Sequence, residues 1–266
     1  MPQWARELEW RLLTGQALPS DRFWADPARL LADAGVPPDP WQADLLRSEA
    51  LRVLLLCSRQ SGKSTVAAAL ALKTALLVPG SLVLLLSPTL RQSGELFRDK
   101  VLRLYHALGK PVSANRLTAL TLELGNGSRV VSLPGDEGTI RGYSGVSLLL
   151  IDEASRVTDS LYSSVRPMLA VSGGRLVCLS TPFGRRGWFH DEWTAAGPEW
   201  KRVLVTAEQC PRITRAFLDE ERRAIGARWF AQEYGCEFLT AIGAVFSGED
   251  IDAAFVPQVR PVEFPT

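Results

Sequence analysis

The chain has 266 residues, of which 46% are hydrophobic and 22% charged, with a formal net charge of +1. This is ordinary globular composition with enough length for a large core, and it carries no global basic field of the kind that advertises nucleic acid. Cys57, Cys178, Cys210 and Cys236 are far apart without C-x-x-C spacing and read as reduced thiols of a cytosolic protein. His106 and His190 are too few for a zinc cage or a histidine-based triad, no uninterrupted apolar run of membrane-spanning length occurs, and the N-terminus has no signal-peptide pattern.

In chain order, residues 3–34 carry helical periodicity through Trp4, Leu8, Leu12, Phe23, Leu30 and Leu31, and residues 34–40 form a Gly/Pro break. Trp41 to Leu46 predicts a short helix leading into an apolar strand at Val53–Leu56. A helix then runs to about Leu77, followed by a buried strand at Leu82–Leu86 and a long amphipathic helix over 91–108. Leu117–Leu124 and Arg129–Leu133 alternate around Gly125-Asn126-Gly127, which predicts an antiparallel edge hairpin rather than a glycosylated loop. Next come a strand at Leu148–Ile151, a helix over 159–169, a strand at Leu176–Leu179, a helix near Trp188 and a strand at Val203–Val205. Such alternation argues an α/β fold, a mostly parallel sheet with helices on both faces. Residues 214–238 are helical, fall outside the alternation and read as a small C-terminal lid.

Two segments carry the chemistry. Residues 53–65 read VLLLCSRQSGKST, a strand breaking into a small polar loop that opens a helix at Gly62-Lys63-Ser64-Thr65. Such a loop aims backbone N–H groups at a triphosphate, and the helix dipole adds to the attraction. Lys63 would reach the β/γ-phosphates and the Ser64 hydroxyl would bind Mg²⁺, with Ser58, Arg59, Gln60, Ser61, Gly62 and Thr65 completing the cradle. One departure stands out: Cys57 occupies the place of the usual first glycine. Leu148-Leu149-Leu150-Ile151 ends in Asp152-Glu153, where open α/β sheets place their ligands. Asp152 is placed to hold Mg²⁺ and Glu153 to deprotonate the attacking water.

These residues, with Thr139-Ile140-Arg141-Gly142, Ser180-Thr181-Pro182-Phe183-Gly184, Gln232-Glu233-Tyr234-Gly235-Cys236-Glu237-Phe238 and Val245-Phe246-Ser247-Gly248, resemble the ATPase domain of the large terminase subunit of tailed bacteriophages over about residues 38–250. The resemblance implies a P-loop NTPase of the ASCE type that hydrolyses ATP with Mg²⁺ and pumps double-stranded DNA into a procapsid in the host cytoplasm. It implies a ring of subunits on the portal protein, served by a small terminase subunit. It also implies that Arg141 acts as an arginine finger on a neighbouring subunit's nucleotide, with Arg59 the competing candidate in cis or a brace for the loop. Trp41-Gln42 resembles an adenine-reading segment, or else is a helix start with a core tryptophan. Ser180 and Thr181 fit a motif coupling γ-phosphate to the lid, or else a strand-end cap.

The expected organisation is an N-terminal helical segment with the adenine-side helix (1–50), a P-loop ATPase core (51–210), a helical lid (211–246) and a linker or tail (247–266). Large terminases continue into a metal-dependent nuclease, which Glu249, Asp250 and Asp252 cannot build, so no nuclease activity is expected of these residues. A superfamily-2-like helicase shares the acidic motif but needs a second ATPase-like domain. A nucleotide-gated scaffold would not need Lys63, Ser64, Asp152 and Glu153 all intact.

Overall fold

The computed structural model describes residues 23, 25–135, 140, 142–195 and 197–240. Thr139, Arg141 and the 245–248 segment lie outside the described residues, as do the tail and most of the N-terminal helical segment.

Among the described residues, eight strands form one sheet: β1 (Arg52–Cys57), β2 (Leu82–Ser87), β3 (Ala114–Leu117), β4 (Thr121–Leu124), β5 (Arg129–Pro134), β6 (Leu148–Asp152), β7 (Arg175–Ser180) and β8 (Trp200–Val205). Their spatial order is β3-β4-β5-β2-β6-β7-β1-β8. The run from β5 to β8 is parallel, and only β3–β4 and β4–β5 pair antiparallel. The strand carrying Ser180 therefore sits between the phosphate-loop strand β1 and the acidic strand β6. That insertion is the ASCE arrangement, and it sets the width of the site.

The helices are α1 (Arg29–Ala32), α2 (Pro40–Arg47), α3 (Lys63–Leu77), α4 (Leu90–Glu95), α5 (Arg103–Ala107), α6 (Asp159–Val165), α7 (Gly187–Ala195) and α8 (Arg215–Glu233). The two-residue period of the strands divides the core between them. Val53, Leu55, Val83, Leu85, Leu148, Leu150, Val177 and Leu179 face the side packed by α3 and the α4–α5 rod. Leu54, Leu56, Leu84, Leu86, Leu149, Ile151, Leu176 and Cys178 face the side packed by α6 and α7. Burial on both faces is why these strands read as unbroken aliphatic runs. No helix among the described residues is long and apolar enough to cross a membrane.

Three elements differ from expectation. The 117–124 segment is not one strand: Thr118 N donates to Thr121 O at 2.9 Å, a tight turn that splits it into β3 and β4. The edge is thus a three-stranded meander, with the Asn126-Gly127 turn joining β4 to β5 as predicted. Asn126 is buried there, its Nδ2 donating to Ala75 O at 2.8 Å. The long helix expected over 91–108 is interrupted by a π-helical stretch, Leu96–Leu102. The C-terminal helix ends at Glu233 rather than 238 and is kinked at Gly226, whose φ 80, ψ 159 is open in practice only to glycine.

Candidate functional site

The phosphate loop leaves β1 at Cys57, still in strand register with Val205 of β8. This explains the missing glycine. The left-handed positions of the loop are Gln60 (φ 57) and Gly62 (φ 97), so an extended Cys57 strains nothing. Burial pushes the Cys57 thiol well above its ordinary range, and Cys210 and Cys236 also titrate high, so all three are inert packing thiols.

The loop is pinned from several directions. Ser58 N donates to Val205 O at 2.9 Å and Arg59 N to Glu233 O at 3.0 Å. Ser61 Oγ donates to Ser58 O at 2.9 Å, and Lys63 Nζ reaches the same carbonyl at 3.3 Å. Gly62 caps α3, and a Cβ there would lie 2.5 Å from Gln42 Nε2. Gln42 Nε2 donates to Gly62 O at 3.3 Å while its Oε1 accepts from Asp39 N at 2.9 Å, so the buried amide braces the loop. Trp41, the neighbour of Gln42 in the segment that resembles an adenine reader or else a helix start, packs against the core with its Nε1 buried and unpartnered. The side chain of Arg59 ion-pairs with Glu233 at the end of α8.

Across β7, the acidic turn completes the site. Ser64 Oγ donates to Asp152 Oδ2 at 3.3 Å, joining the start of α3 to the end of β6. Asp152 is 8% exposed, and its carboxyl is pushed up to about 6, first by burial and then by Glu153, against the pull of Lys63 and the Ser64 hydrogen bond. Glu153 adopts a left-handed backbone (φ 51), rare for a non-glycine residue and a form of stored strain found at functional sites. Its carboxylate lies 3.8 Å from Arg156 Nε. Glu153 lines two clefts that meet at the loop. One, of about 480 Å³, also takes in Gln60, Gly62, Lys63, Ser64 and Thr65, and the other, of about 430 Å³, Ser64, Asp152 and Lys100.

Ser180 and Thr181 are buried at the end of β7 and tied to the acidic turn through Ser155. Ser155 N donates to Ser180 Oγ at 3.1 Å, the two hydroxyls lie 2.6 Å apart, and Ser155 Oγ donates to Thr181 O at 2.8 Å. Ser155 and Arg212 escaped the sequence reading, and Lys100, which the sequence offers only as one of several possible DNA contacts or a solvated helix residue, lines both clefts. Ser155 directly follows Asp-Glu-Ala and was within reach of it; Arg212 reaches the site only through tertiary folding.

The arrangement fits Mg²⁺: the Ser64 hydroxyl and the buried Asp152 carboxylate offer hard oxygen ligands beside an ammonium and a run of backbone N–H groups. Mg²⁺ takes few protein ligands and keeps its own water, which two such oxygens suit.

Comparison with known proteins agrees with this geometry. A family model described as terminase large subunit, T4likevirus-type, N-terminal, matches residues 54–253. The chain is 28% identical over 268 residues to the terminase large subunit of Thermus phage G20c, covering 88% of this chain and 54% of that protein. It is 27% identical over 241 residues to that of Escherichia phage T5, covering 85% and 53%. The chain thus spans about half the length of these relatives. Among solved structures, the large terminase ATPase domain of Thermus phage P74-26 superposes with a TM-score of 0.70 at 25% identity, covering 84% of this chain and all of that one. The large terminase of bacteriophage HK97, at 17% identity and a TM-score of 0.58 over 87% of this chain, shares the fold. The chain belongs to the terminase large-subunit family, whose N-terminal ATPase-domain model spans most of it.

Proposed function

We propose that this chain is the ATP-hydrolysing motor domain of a phage DNA-packaging terminase. The observation that carries the reading is the convergence of Lys63, Ser64, Asp152 and Glu153 across β1, β7 and β6, with Ser64 and Asp152 only 3.3 Å apart. ATP as the substrate is supported by relatives of the same fold, since the large terminase of a thermophilic bacteriophage has been solved with ADP and with ATP-gamma-S.

The loop N–H groups and Lys63 bind the phosphates, and the α3 dipole favours their charge. Ser64 and Asp152 would hold Mg²⁺, which would supply positive charge against that building on the phosphoryl oxygens. Glu153 orients the attacking water and takes its proton as the bond from the γ-phosphorus to the β-bridging oxygen breaks and ADP leaves. A positioned general base is worth about 10² to 10⁴ in rate. Ser180 and Thr181, joined to the acidic turn through Ser155, relay the state of the γ-phosphate. The α8 lid receives that signal at Glu233, which holds Arg59 of the loop. In the assembled motor the chain works as a ring with portal protein, small terminase subunit and double-stranded DNA, and Arg141 supplies a cation to the neighbouring site, a contribution of about 10³ to 10⁵.

The test is steady-state ATP hydrolysis with and without double-stranded DNA, extended to mixtures of two inactive variants. Arg141→Ala and Glu153→Gln each lack what the other retains, so co-assembled mixtures should recover activity at interfaces that hold both an intact base and an intact finger. Mixtures shown by light scattering to co-assemble yet remaining inactive would overturn the shared site.

A further inference from the structure

Two side chains cross the phosphate loop beside Gly62, and both return to one carboxylate residue. Gln42 bonds the Gly62 carbonyl and accepts from the Asp39 N–H. Arg212, from the segment leading into α8, donates Nη2 to Ser61 O at 3.1 Å and both terminal nitrogens to the Asp39 carboxylate. Asp39 is buried, whereas the Arg212 side chain is 50% exposed. The guanidinium is therefore held by its edge, which sets the orientation of its plane, while half of its surface stays open.

That surface lines the same cleft of about 480 Å³ as the loop. The cleft has another wall of a different kind: Gly35, Val36 and Pro37, with Val36 41% exposed although apolar. One cavity thus combines an anion-binding loop, a fixed guanidinium and an exposed aliphatic patch. A guanidinium plane stacks on aromatic rings, and a solvent-facing valine and proline offer a matching apolar surface. Gln42 is committed to bracing at both ends of its amide and is almost fully buried, so the open recognition surface is the stack rather than the amide.

We infer that Arg212 is a base-positioning residue: its guanidinium plane stacks on the purine ring of the nucleotide whose phosphates occupy the loop, with Val36 and Pro37 flanking the same slot. The inference rests on the nucleotide-binding reading of the site and adds to it the residue that holds the base. Because Arg212 lies two residues before Thr214, the N-cap of α8, base binding would also be felt at the root of the lid.

Titration calorimetry on the full chain, with Mg²⁺, can separate base from phosphate by comparing ADP with inorganic tripolyphosphate. Wild-type binding of both ligands establishes the phosphate site first; binding of neither would remove the nucleotide reading and this inference with it. Arg212→Lys keeps the charge and loses the plane. It should weaken ADP at least tenfold and leave tripolyphosphate within about twofold. Asp39→Asn, which keeps the guanidinium but loosens its orientation, should weaken ADP three- to fivefold by the same logic, again sparing tripolyphosphate. Equal losses for the two ligands would make Arg212 a brace of the loop only, and no loss for either would place the base elsewhere; both results overturn the inference.

Discussion

The two halves of the site are built on opposite terms. On the loop side, backbone and side-chain groups are already paired: Ser58 with Val205, Arg59 with Glu233, Gln42 with Gly62 and Arg212 with Ser61. On the acidic side, two carboxylates are adjacent in sequence, one of them buried, and their repulsion helps push Asp152 up to about 6. The cradle is braced before any ligand arrives, whereas the acidic turn holds two neighbouring carboxylates that repel each other, a repulsion that the proposed cation would relieve. A phosphate-binding loop gains by paying its ordering cost during folding. A metal-binding carboxylate must keep its charge uncompensated so that the cation has something to gain.

The largest expected effect tests that contrast directly. Lys63→Ala removes the only ammonium reaching the loop carbonyls among the described residues, and should weaken ADP or ATP at least a hundredfold in equilibrium binding. Glu153→Gln should instead bind ATP within about threefold of wild type and lose turnover by about 10² to 10⁴, because its proposed task is proton transfer and not ground-state binding. Wild-type turnover by Glu153→Gln would remove the base from that residue.

Next in size is the stored discomfort of the acidic turn. The folded Asp152 carboxyl titrates at about 6 against 3.8 for an ordinary aspartate, so between those values the folded chain keeps a proton that the unfolded chain has lost. Stability from this group is therefore greatest below about pH 4 and falls as pH rises through 6. The deficit at pH 7 is at most about 3 kcal/mol. Asp152→Asn, measured by denaturant unfolding without metal or nucleotide, should stabilise the chain at pH 7 by about 1–3 kcal/mol and leave it unchanged near pH 4. An Asn variant no more stable than wild type at pH 7 would show that Asp152 is already compensated.

What the sequence disclosed follows the same division between self-contained and assembled features. The central strands were legible to within a residue because burial on both faces forces unbroken aliphatic runs, as at Leu82–Ser87 and Leu148–Asp152. Lys63, Ser64, Asp152 and Glu153 were legible because each sits in a contiguous motif at a strand end, and the fold brings the two motifs together. The meander was misread because the turn at Thr118–Thr121 contains no glycine, proline or asparagine, only a threonine whose hydroxyl stands 3.5 Å from Leu120 N. The π-helical stretch was invisible because its register change preserves apolar residues at helix-like intervals. Arg212 could not be found at all, since its partners Asp39 and Ser61 are more than a hundred residues away and nothing in its neighbourhood marks it. The kink at Gly226 was within reach, since glycine inside a helical pattern signals a break.

The smallest effect tests how much of the cradle's shape depends on the side-chain contact between Arg59 and α8. Arg59 is 60% exposed and Glu233 15%, so their ion pair is screened by solvent and worth at most about 1 kcal/mol. The Arg59 N–H bond to the Glu233 carbonyl is main-chain and survives any side-chain change at either position. Glu233→Gln should therefore lower stability by less than about 1 kcal/mol and change ADP affinity less than threefold. Arg59→Ala should do the same if the arginine only braces the loop. Two departures would be informative. A tenfold change in affinity with Glu233→Gln would mean that the lid, and not the loop, sets the shape of the cradle. An Arg59→Ala variant that keeps affinity but loses turnover by more than a hundredfold would make Arg59 a cation acting in cis on the transferring phosphoryl group, because only an interaction made in the transition state lowers rate without lowering binding.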